Sequence, residues 1–167
     1  FGPLTLRNRT IRSAAFESMC PGNAPSDMLL NYHRSVAAGG IGMTTVAYAA
    51  VTRSGLSFDR QLWMRPEIIP GLRRLTDAVH AEGAAAGIQL GHCGNMSHKS
   101  ICGCTPVGAS GGFNLYSPTF VRGLRADELP ELARAYGRSV NLAREAGFDA
   151  VEIHAGHGYL ISQFLSP

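Results

Sequence analysis

The sequence has 167 residues, enough for one domain with a hydrophobic core, and its 45% hydrophobic and 16% charged residues exclude a disordered or fibrous chain. The formal net charge is only +3 and the basic residues are scattered, which argues against nucleic acid as a partner. No apolar stretch approaches the ~20 residues that a membrane helix needs, so we expect no membrane association and a cytoplasmic protein.

A recurring pattern predicts the secondary structure along the chain. In each copy, a helical stretch ends in glycine and leads into a short apolar run that suits a buried parallel strand. The copies are residues 36–40 before 43–46, residues 80–83 before 86–90, and residues 144–147 before 150–154. A further strand is expected at residues 10–13, and the helices are expected at residues 26–38, 66–82 and 126–146.

The order of these elements implies parallel strands joined by right-handed crossovers, and two folds share it. A doubly wound sheet carries a glycine-rich phosphate loop after its first strand, but residues 14–19 contain no such loop. A barrel places its chemistry in the segments that follow the strands. The long segment 91–125 follows the third strand, and we predict that it is a functional loop. The sequence therefore predicts an α/β protein of the TIM (β/α)8 barrel class, with only the first four βα units present.

The two ends of the sequence indicate a truncated barrel. The chain begins at Phe1 without an initiator Met and stops at Pro167, directly after an apolar segment. We therefore expect residues 1–167 to be the N-terminal half of the barrel. Such a half leaves two open sheet edges, which favour pairing with another chain.

The fourth predicted strand directs its side chains to two faces. Alternation places Glu152 and His154 on the barrel side and the apolar residues Val151 and Ile153 on the helix side. His154 would then lie at the carboxyl end of the strand, facing the barrel axis. We expect Glu152 to be buried inside the barrel and to have a structural role, with a polar partner.

Three residues at this strand end could perform chemistry. The glycines between His154, His157 and Tyr159 allow a sharp turn, so that the three side chains can converge. Two imidazoles can donate hydrogen bonds to a carbonyl oxygen that develops negative charge, and a tyrosine hydroxyl can supply a proton. The alternative is that one histidine caps the strand and the other is solvated.

Gln89 ends the third predicted strand and lies on the opposite face from Ile88 and Leu90. A buried amide offers both a donor and an acceptor, which suits the edge of a planar heterocycle. The alternative is a hydrogen bond to neighbouring backbone, and the spacing alone does not distinguish the two.

Histidine and cysteine residues between the third strand and the third helix could indicate a metal site. His92, Cys93 and His98 precede Cys102 and Cys104 in the chain. However, the C-x-C spacing differs from that of zinc fingers, and no second cysteine pair is present. We predict no metal site and no disulfide framework, because cysteine is often simply buried.

With these motifs in place, the whole chain resembles the Old Yellow Enzyme family, the NADH:flavin oxidoreductases. The matching stretches are residues 6–14 at the first strand, 37–42 before the second, 89–94 at the third, and 147–167 at the fourth. The last stretch, from Gly147 to the end, is the most specific. The sequence is most similar to the bacterial branch near 2,4-dienoyl-CoA reductase and enone reductases.

The resemblance implies an FMN bound over the carboxyl ends of the strands, and it implies a role for individual residues. Ser13, Ala14, Ala15 and Phe16 would pack along the flavin, Ala47 and Tyr48 would contact it after the second strand, Gln89 would bind its pyrimidine edge, His154 and His157 would hold the substrate's carbonyl oxygen, and Tyr159 would be the proton donor. The implied reaction uses NAD(P)H as reductant and reduces the activated C=C bond of an enone or enoyl substrate. Larger relatives also carry an iron–sulfur cluster and FAD beyond the barrel.

The phosphate of FMN in such barrels binds after the seventh and eighth strands. We therefore expect residues 1–167 alone to bind FMN poorly and not to turn over. Two alternatives stay open: a metal-dependent TIM-barrel hydrolase that uses His92, His154 and His157, and a non-catalytic half barrel that pairs with another chain. A homo-oligomer is compatible with each of these interpretations.

Overall fold

The computed structural model describes residues 2–166. Its strands are β1 (Ile11–Arg12), β2 (Met43–Ala50), β3 (Ala85–Gly91), β4 (Val107–Gly108), β5 (Gly112–Asn114), β6 (Thr119–Gly123) and β7 (Ala150–Ile153). Its α-helices are α1 (Asp27–Ala38), α2 (Ile69–Ala81), α3 (Lys99–Cys102), α4 (Leu129–Glu145) and α5 (Leu160–Leu165). Short 3-10 helices lie at Pro21–Asn23, Arg53–Gly55, Pro66–Ile68, Gly94–Met96 and Ala126–Glu128.

Four strands form one parallel sheet in the order β1-β2-β3-β7. The helices α1, α2 and α4 connect them in turn, which confirms the predicted alternation of strands and helices. Two predicted helices begin later than expected, because residues 66–68 and 126–128 are 3-10 turns. Pro70 and Pro130 lie at the start of the α-helices, where a residue without an N–H is tolerated.

The hydrophobic core lies between this sheet and the helices that cover it. Its fully buried side chains include Leu29, Leu72, Leu75, Val79, Ile88 and Leu90. Burying each such side chain contributes about 1.5–3 kcal/mol, so helix-to-sheet packing is a main source of stability. In residues 2–166, no helix has the length and apolar character that would be needed to cross a membrane.

The segment 91–125 has more structure than its prediction as a loop. It contains a 3-10 turn, α3 and a small sheet of order β4-β6-β5, in which β4 pairs with β6 in parallel and β5 pairs with β6 antiparallel. The strands β4, β5 and β6 have two, three and five residues, respectively, which is too few for a hydrophobic alternation to be visible in the sequence. The segment that was predicted as one functional loop therefore contains helix and strands of its own, and their presence was missed.

An irregularity interrupts the pairing of β2 with β3. Val46 pairs with Ile88 and Ala49 pairs with Leu90, so Ala47 and Tyr48 together oppose the single residue Gln89. This arrangement is a β-bulge, which redirects side chains and is frequent beside active sites. The bulge thus brings together three residues that the family resemblance had associated with the flavin.

Candidate active site

Aromatic side chains cluster at the carboxyl end of β7. The ring centroid of His154 lies 4.9 Å from those of both His157 and Tyr159, and 5.6 Å from that of Tyr48. Tyr48 and Tyr159 are 5.4 Å apart. His154 is only 8% exposed, whereas His157 is open to solvent and Tyr159 is half-buried. The structure therefore brings the three predicted catalytic side chains together, with Tyr48 packed against two of them.

The turn after β7 depends on two left-handed residues in succession. His157 has φ +59° and Gly158 has φ +68°. A left-handed conformation is uncommon for a residue with a side chain, and such residues often lie at functional sites. The turn positions Tyr159 directly before α5, so its ring folds back over His154.

The two imidazoles contact each other. His157 Nδ1 lies 3.1 Å from His154 Nε2, and the Gly156 N–H donates to His154 Nδ1 at 3.4 Å. Because His154 Nδ1 accepts this bond, we assign its proton to Nε2, which donates to His157. The prediction was that both rings donate to one substrate oxygen. In the structure one ring donates to the other, so His157 would have to turn before both could do so.

The environment of His154 disfavours its charged form. Burial of the ring and the nearby His157 both lower the pKa of His154, whereas the carboxylate of Glu152 opposes them. At neutral pH His154 is therefore a neutral hydrogen-bond donor. Burial likewise raises the pKa of Tyr48, whose hydroxyl forms a short hydrogen bond with Ser57. Tyr48 therefore stays protonated, and its ring packs against those of His154 and Tyr159.

One glutamine, which the sequence analysis did not single out, ties this turn to the segment after β3. Gln163 Nε2 donates to Gly158 O at 2.7 Å and to Asn95 Oδ1 at 2.9 Å. A Cβ at Gly94 would lie 2.5 Å from the Gln163 amide nitrogen, so only glycine leaves room for this contact. The signal in the sequence was Gly94, whose φ of +63° also favours glycine.

Gln89 lies beside this cluster, on the bulge. Gln89 is buried, and its side chain lies on the opposite face of β3 from Ile88 and Leu90, as predicted. Its Nε2 donates to Glu152 Oε1 at 2.5 Å. Glu152 was expected to be buried inside the barrel, but it is exposed. Its expected polar partner is Gln89. Of the two apolar residues expected to face the helices, Val151 packs against the core, whereas Ile153 is 46% exposed.

A buried carboxylate, also missed by the sequence analysis, holds the bulge. Glu17 has a side chain only 3% exposed, and its carboxylate oxygens accept the Ala47 N–H at 3.3 and 3.4 Å. Arg12 Nη1 lies 3.0 Å from Glu17 Oε1, and His33 Nε2 lies 3.2 Å from the same atom. His33 is itself held by Thr44 Oγ1 at 2.8 Å. The sequence could not indicate this network, because Glu17 and Ala47 are 30 residues apart and His33 lies on another element.

The Arg12 guanidinium extends the same network to the segment after β1. It donates to Thr45 O at 2.7 Å and to Ala15 O at 3.2 Å. It also lies over the ring of Tyr32 at 5.0 Å. Arg12 and Glu17 therefore fix the residues 13–16 against β2 at its bulge.

The residues 13–16, which the resemblance associates with the flavin, lie on the surface and have no regular secondary structure. Ser13, Ala15 and Phe16 are exposed and Ala14 is half-buried. The ring of Phe16 stacks on that of Phe58, with centroids 4.5 Å apart and planes 22° apart. This stretch is therefore accessible, as a ligand-contacting surface must be.

A cavity of about 230 Å³ adjoins the cluster. Its lining residues are Ser57, Phe58, Met96, His98, Tyr116, Ser117, Pro118 and Tyr159. Ligand sites usually enclose ~300–1,000 Å³, so this space is smaller than a typical ligand site. Two larger cavities, of about 520 and 460 Å³, lie against α4. Their linings include His92, of the alternative metal site, but none of the residues predicted for the flavin or the substrate. The smaller cavity is the candidate site, because Tyr159 lines it and the ring of Tyr159 contacts that of His154.

The donor and acceptor groups at the sheet's carboxyl end fit a flavin. Gln89 supplies a buried amide at the bulge, whereas the Ala47 N–H is already bound to the Glu17 carboxylate and is not a free donor. The exposed stretch 13–16 adds accessible backbone next to them. A planar heterocycle with donors and acceptors along one edge requires such a set of polar groups.

One of the three histidines of the alternative metal site, His92, is not free to bind a metal. His92 is 1% exposed, accepts the Gly94 N–H on Nδ1 at 3.0 Å, and bonds to Ser54 Oγ through Nε2 at 3.1 Å. Burial lowers the pKa of His92 to about 4. Across residues 2–166, no group of three or more His, Cys, Asp or Glu side chains is placed to hold a metal ion. The geometry therefore gives the hydrolase interpretation no support.

Comparison with characterised proteins identifies relatives over the full length of the chain. A 4,4′-dithiodibutanoate disulfide reductase of Rhodococcus erythropolis is 45% identical over 166 residues, covering 99% of this chain and 41% of that protein. A metal reductase of Desulforamulus reducens is 38% identical, covering 99% and 25%, respectively. An NADPH dehydrogenase of Listeria monocytogenes is 38% identical, covering 98% and 48%. The chain thus spans between a quarter and a half of the length of these relatives.

Solved structures show the same relationship in three dimensions. An Old Yellow Enzyme homologue from Zymomonas mobilis superposes with a TM-score of 0.91 at 27% identity, over 98% of this chain and 49% of that one. Morphinone reductase superposes with a TM-score of 0.91 at 26% identity, over 99% and 48%. The chain therefore has the fold of a partial TIM barrel.

The sequence model of the NADH:flavin oxidoreductase / NADH oxidase family matches residues 1–167. This match agrees with the resemblance inferred from the motifs. The chain belongs to the NADH:flavin oxidoreductase / NADH oxidase family, the family of Old Yellow Enzyme.

Proposed function

We propose that the protein containing this chain is an FMN-dependent NAD(P)H oxidoreductase that reduces the activated C=C bond of an enone or enoyl substrate. The observation that carries the proposal is the cluster of His154, His157 and Tyr159, which lies beside Gln89 at the carboxyl ends of the parallel strands. Active sites of barrel enzymes lie at this end.

In this proposal the two histidines bind the carbonyl oxygen of the substrate. His154 donates from Nε2 in its neutral form, because its lowered pKa keeps it uncharged near pH 7. His157 is exposed and can turn its ring from His154 to the substrate. Two donors aimed at one oxygen stabilise the negative charge that develops on it.

Tyr159 donates a proton to the α-carbon of the substrate. Its ring lies 4.9 Å from that of His154 and lines the adjoining cavity, so its hydroxyl can reach a molecule bound there. Gln89, Ala47 and residues 13–16 would hold the FMN. When bound, FMN would take hydride from NAD(P)H and pass it to the β-carbon.

The substitution Tyr159→Phe tests the role of the tyrosine in the full-length protein. General acid catalysis contributes roughly 10²–10⁴-fold, so we expect cyclohexenone reduction to fall by that factor. Flavin reduction by NADPH in a stopped-flow experiment should stay unchanged, because it requires no proton from Tyr159. Tyr116→Phe, in the same cavity, is the matched control. Equal loss of both half-reactions in Tyr159→Phe would refute the assignment.

Reduction of a disulfide is the second candidate function. The observation that favours it is the 45% identity with a 4,4′-dithiodibutanoate disulfide reductase. Reduction of a disulfide releases two sulfur atoms that must be protonated, and thiolates take these protons from water. Tyr159→Phe should therefore leave disulfide reduction nearly intact. A full-length enzyme that reduces this disulfide but no enone would replace the first proposal with the second.

Identification of the cofactor is the first experiment that distinguishes these proposals. Acid release of a chromophore with the mass and absorbance of FMN would support both reductase proposals. A colourless, metal-loaded protein would instead support the hydrolase. A colourless symmetric dimer without metal would support the pairing half barrel. The iron–sulfur cluster, the FAD and the homo-oligomer stay predictions about the whole protein.

A further inference from the structure

Two thiols meet in the segment between β3 and β4. Cys102 is the last residue of α3, and Gly103 ends the helix in a left-handed conformation with φ +73°. The Gly103 N–H donates to Lys99 O at 2.9 Å. This turn reverses the chain, so that Cys104 Sγ lies 3.5 Å from Cys102 Sγ. Neither thiol has a part in the proposed function.

The two thiols differ in their access to solvent. Cys102 is 1% exposed and donates to Cys104 O at 3.1 Å, whereas Cys104 is exposed. All four cysteines of the chain are free, but Cys20 and Cys93 are buried. Cys104 is therefore the thiol that a reagent in solution meets first, and Cys102 is directly behind it.

This pair is suited to two-electron redox chemistry. An exposed thiol that reacts first, with a second thiol in contact to resolve the product, is the arrangement of redox-active cysteine pairs. No third ligand that could make the pair a metal site is placed near it among residues 2–166. We propose that Cys102 and Cys104 form a reversible dithiol/disulfide site that reacts with small organic disulfides.

The reaction proceeds by two thiol–disulfide exchanges. The Cys104 thiolate attacks one sulfur of the reagent RSSR, forms a mixed disulfide with it, and releases one RS⁻. The Cys102 thiol then gives its proton to solvent and attacks Cys104 Sγ. The Cys102–Cys104 bond forms as the second RS⁻ leaves. In sum, a dithiol and RSSR become an intramolecular disulfide and two RSH, so the reaction needs no flavin.

The surroundings make this exchange slow at neutral pH. Partial burial and the contact with Cys102 raise the pKa of Cys104 to about 11, whereas the charge of Arg53 lowers it. The Arg53 guanidinium packs over Gly103, where an added Cβ would lie 3.0 Å from Nη2. The reagent must therefore be in excess, because only a small fraction of Cys104 is thiolate.

The test uses the reduced full-length protein and an excess of 2-hydroxyethyl disulfide. We expect the protein to lose two hydrogens in mass, and a tryptic map to show Cys102 linked to Cys104. Cys102→Ser should instead keep a hydroxyethylthiol adduct on Cys104. Cys104→Ser should lose the reaction at this site, and Cys20→Ser should react like the wild type.

Three results would overturn the proposal. They are a lasting adduct on Cys104 of the wild type, a link from Cys104 to a cysteine other than Cys102, and no reaction at either residue. If Cys102→Ser fails to fold, the wild-type map still decides between these outcomes. The wild-type map also gives the same answer in the FMN-free protein, so a failure of the proposed function leaves this test intact.

Discussion

The buried Glu17 carboxylate gives the clearest quantitative prediction. Its side chain is 3% exposed, and it contacts Arg12 at 3.0 Å and His33 at 3.2 Å while accepting the Ala47 N–H. Glu17→Ala would leave a guanidinium 15% exposed without its counter-charge. Breaking a buried pair on one side costs about 3–5 kcal/mol. We therefore expect the free energy of unfolding to fall by about that amount.

The measurement is a urea titration of the full-length protein without cofactor, followed by circular dichroism. Glu67→Ala is the matched control, because the Glu67 side chain is 75% exposed and lies 3.9 Å from Arg65; exposed pairs contribute little. Glu17→Gln keeps an acceptor for Ala47 but loses the charge, so it should be intermediate. A Glu17→Ala protein within about 1 kcal/mol of the wild type would refute the network.

Three further predictions concern the site and its support. Burial lowers the pKa of His92 from an ordinary 6.5 to about 4, so protonation of His92 destabilises the folded state. The contribution of neutral His92 to stability is complete above pH 6.5 and is lost as the pH falls toward 4. Urea titrations should show that the free energy of unfolding falls by about 3 kcal/mol over this window, and the His92→Gln protein should not show this fall. Gly91→Ala places a Cβ 3.1 Å from the Tyr48 ring and 3.2 Å from His154 Cβ. We expect the free energy of unfolding to fall by about 1 kcal/mol and the KM for enone to rise. An unchanged KM would contradict a role of this contact in substrate binding. Gln89→Leu should weaken FMN binding about fivefold, the value of one hydrogen bond, in a fluorescence titration; no change would remove Gln89 from the flavin site.

Much of the fold could be predicted from local patterns. The strands that follow helix-ending glycines were predicted correctly, because a left-handed cap and an apolar run are both local features. Gly147, for example, has φ +89° and lies three residues before Ala150, where β7 begins. The small sheet in residues 91–125 was missed, because its strands are too short to show a period and depend on each other for their hydrogen bonds.

The candidate site was only partly predictable. His154, His157 and Tyr159 are neighbours along the chain, so their convergence could be predicted from one strand end and two glycines. Glu17 and Gln163 act through contacts 30 and 68 residues away, at Ala47 and Asn95 respectively, which no local pattern reveals. These contacts form only when folding brings the distant segments together, so they can be recognised in the structure but not in the sequence.

The bulge of β2 has a consequence for insertions and deletions in this chain. Ala47 and Tyr48 oppose one residue of β3, so the two halves of β2 follow opposite phases of the strand alternation. Removing one of these two residues would restore an unbroken ladder with Ala49 still opposite Leu90. It would abolish the bulge, and with it the contact of the Ala47 N–H with Glu17 or that of the Tyr48 ring with His154. A gap of one residue here is therefore more disruptive than most point substitutions, and an alignment of homologues should show constant length between Val46 and Ala49.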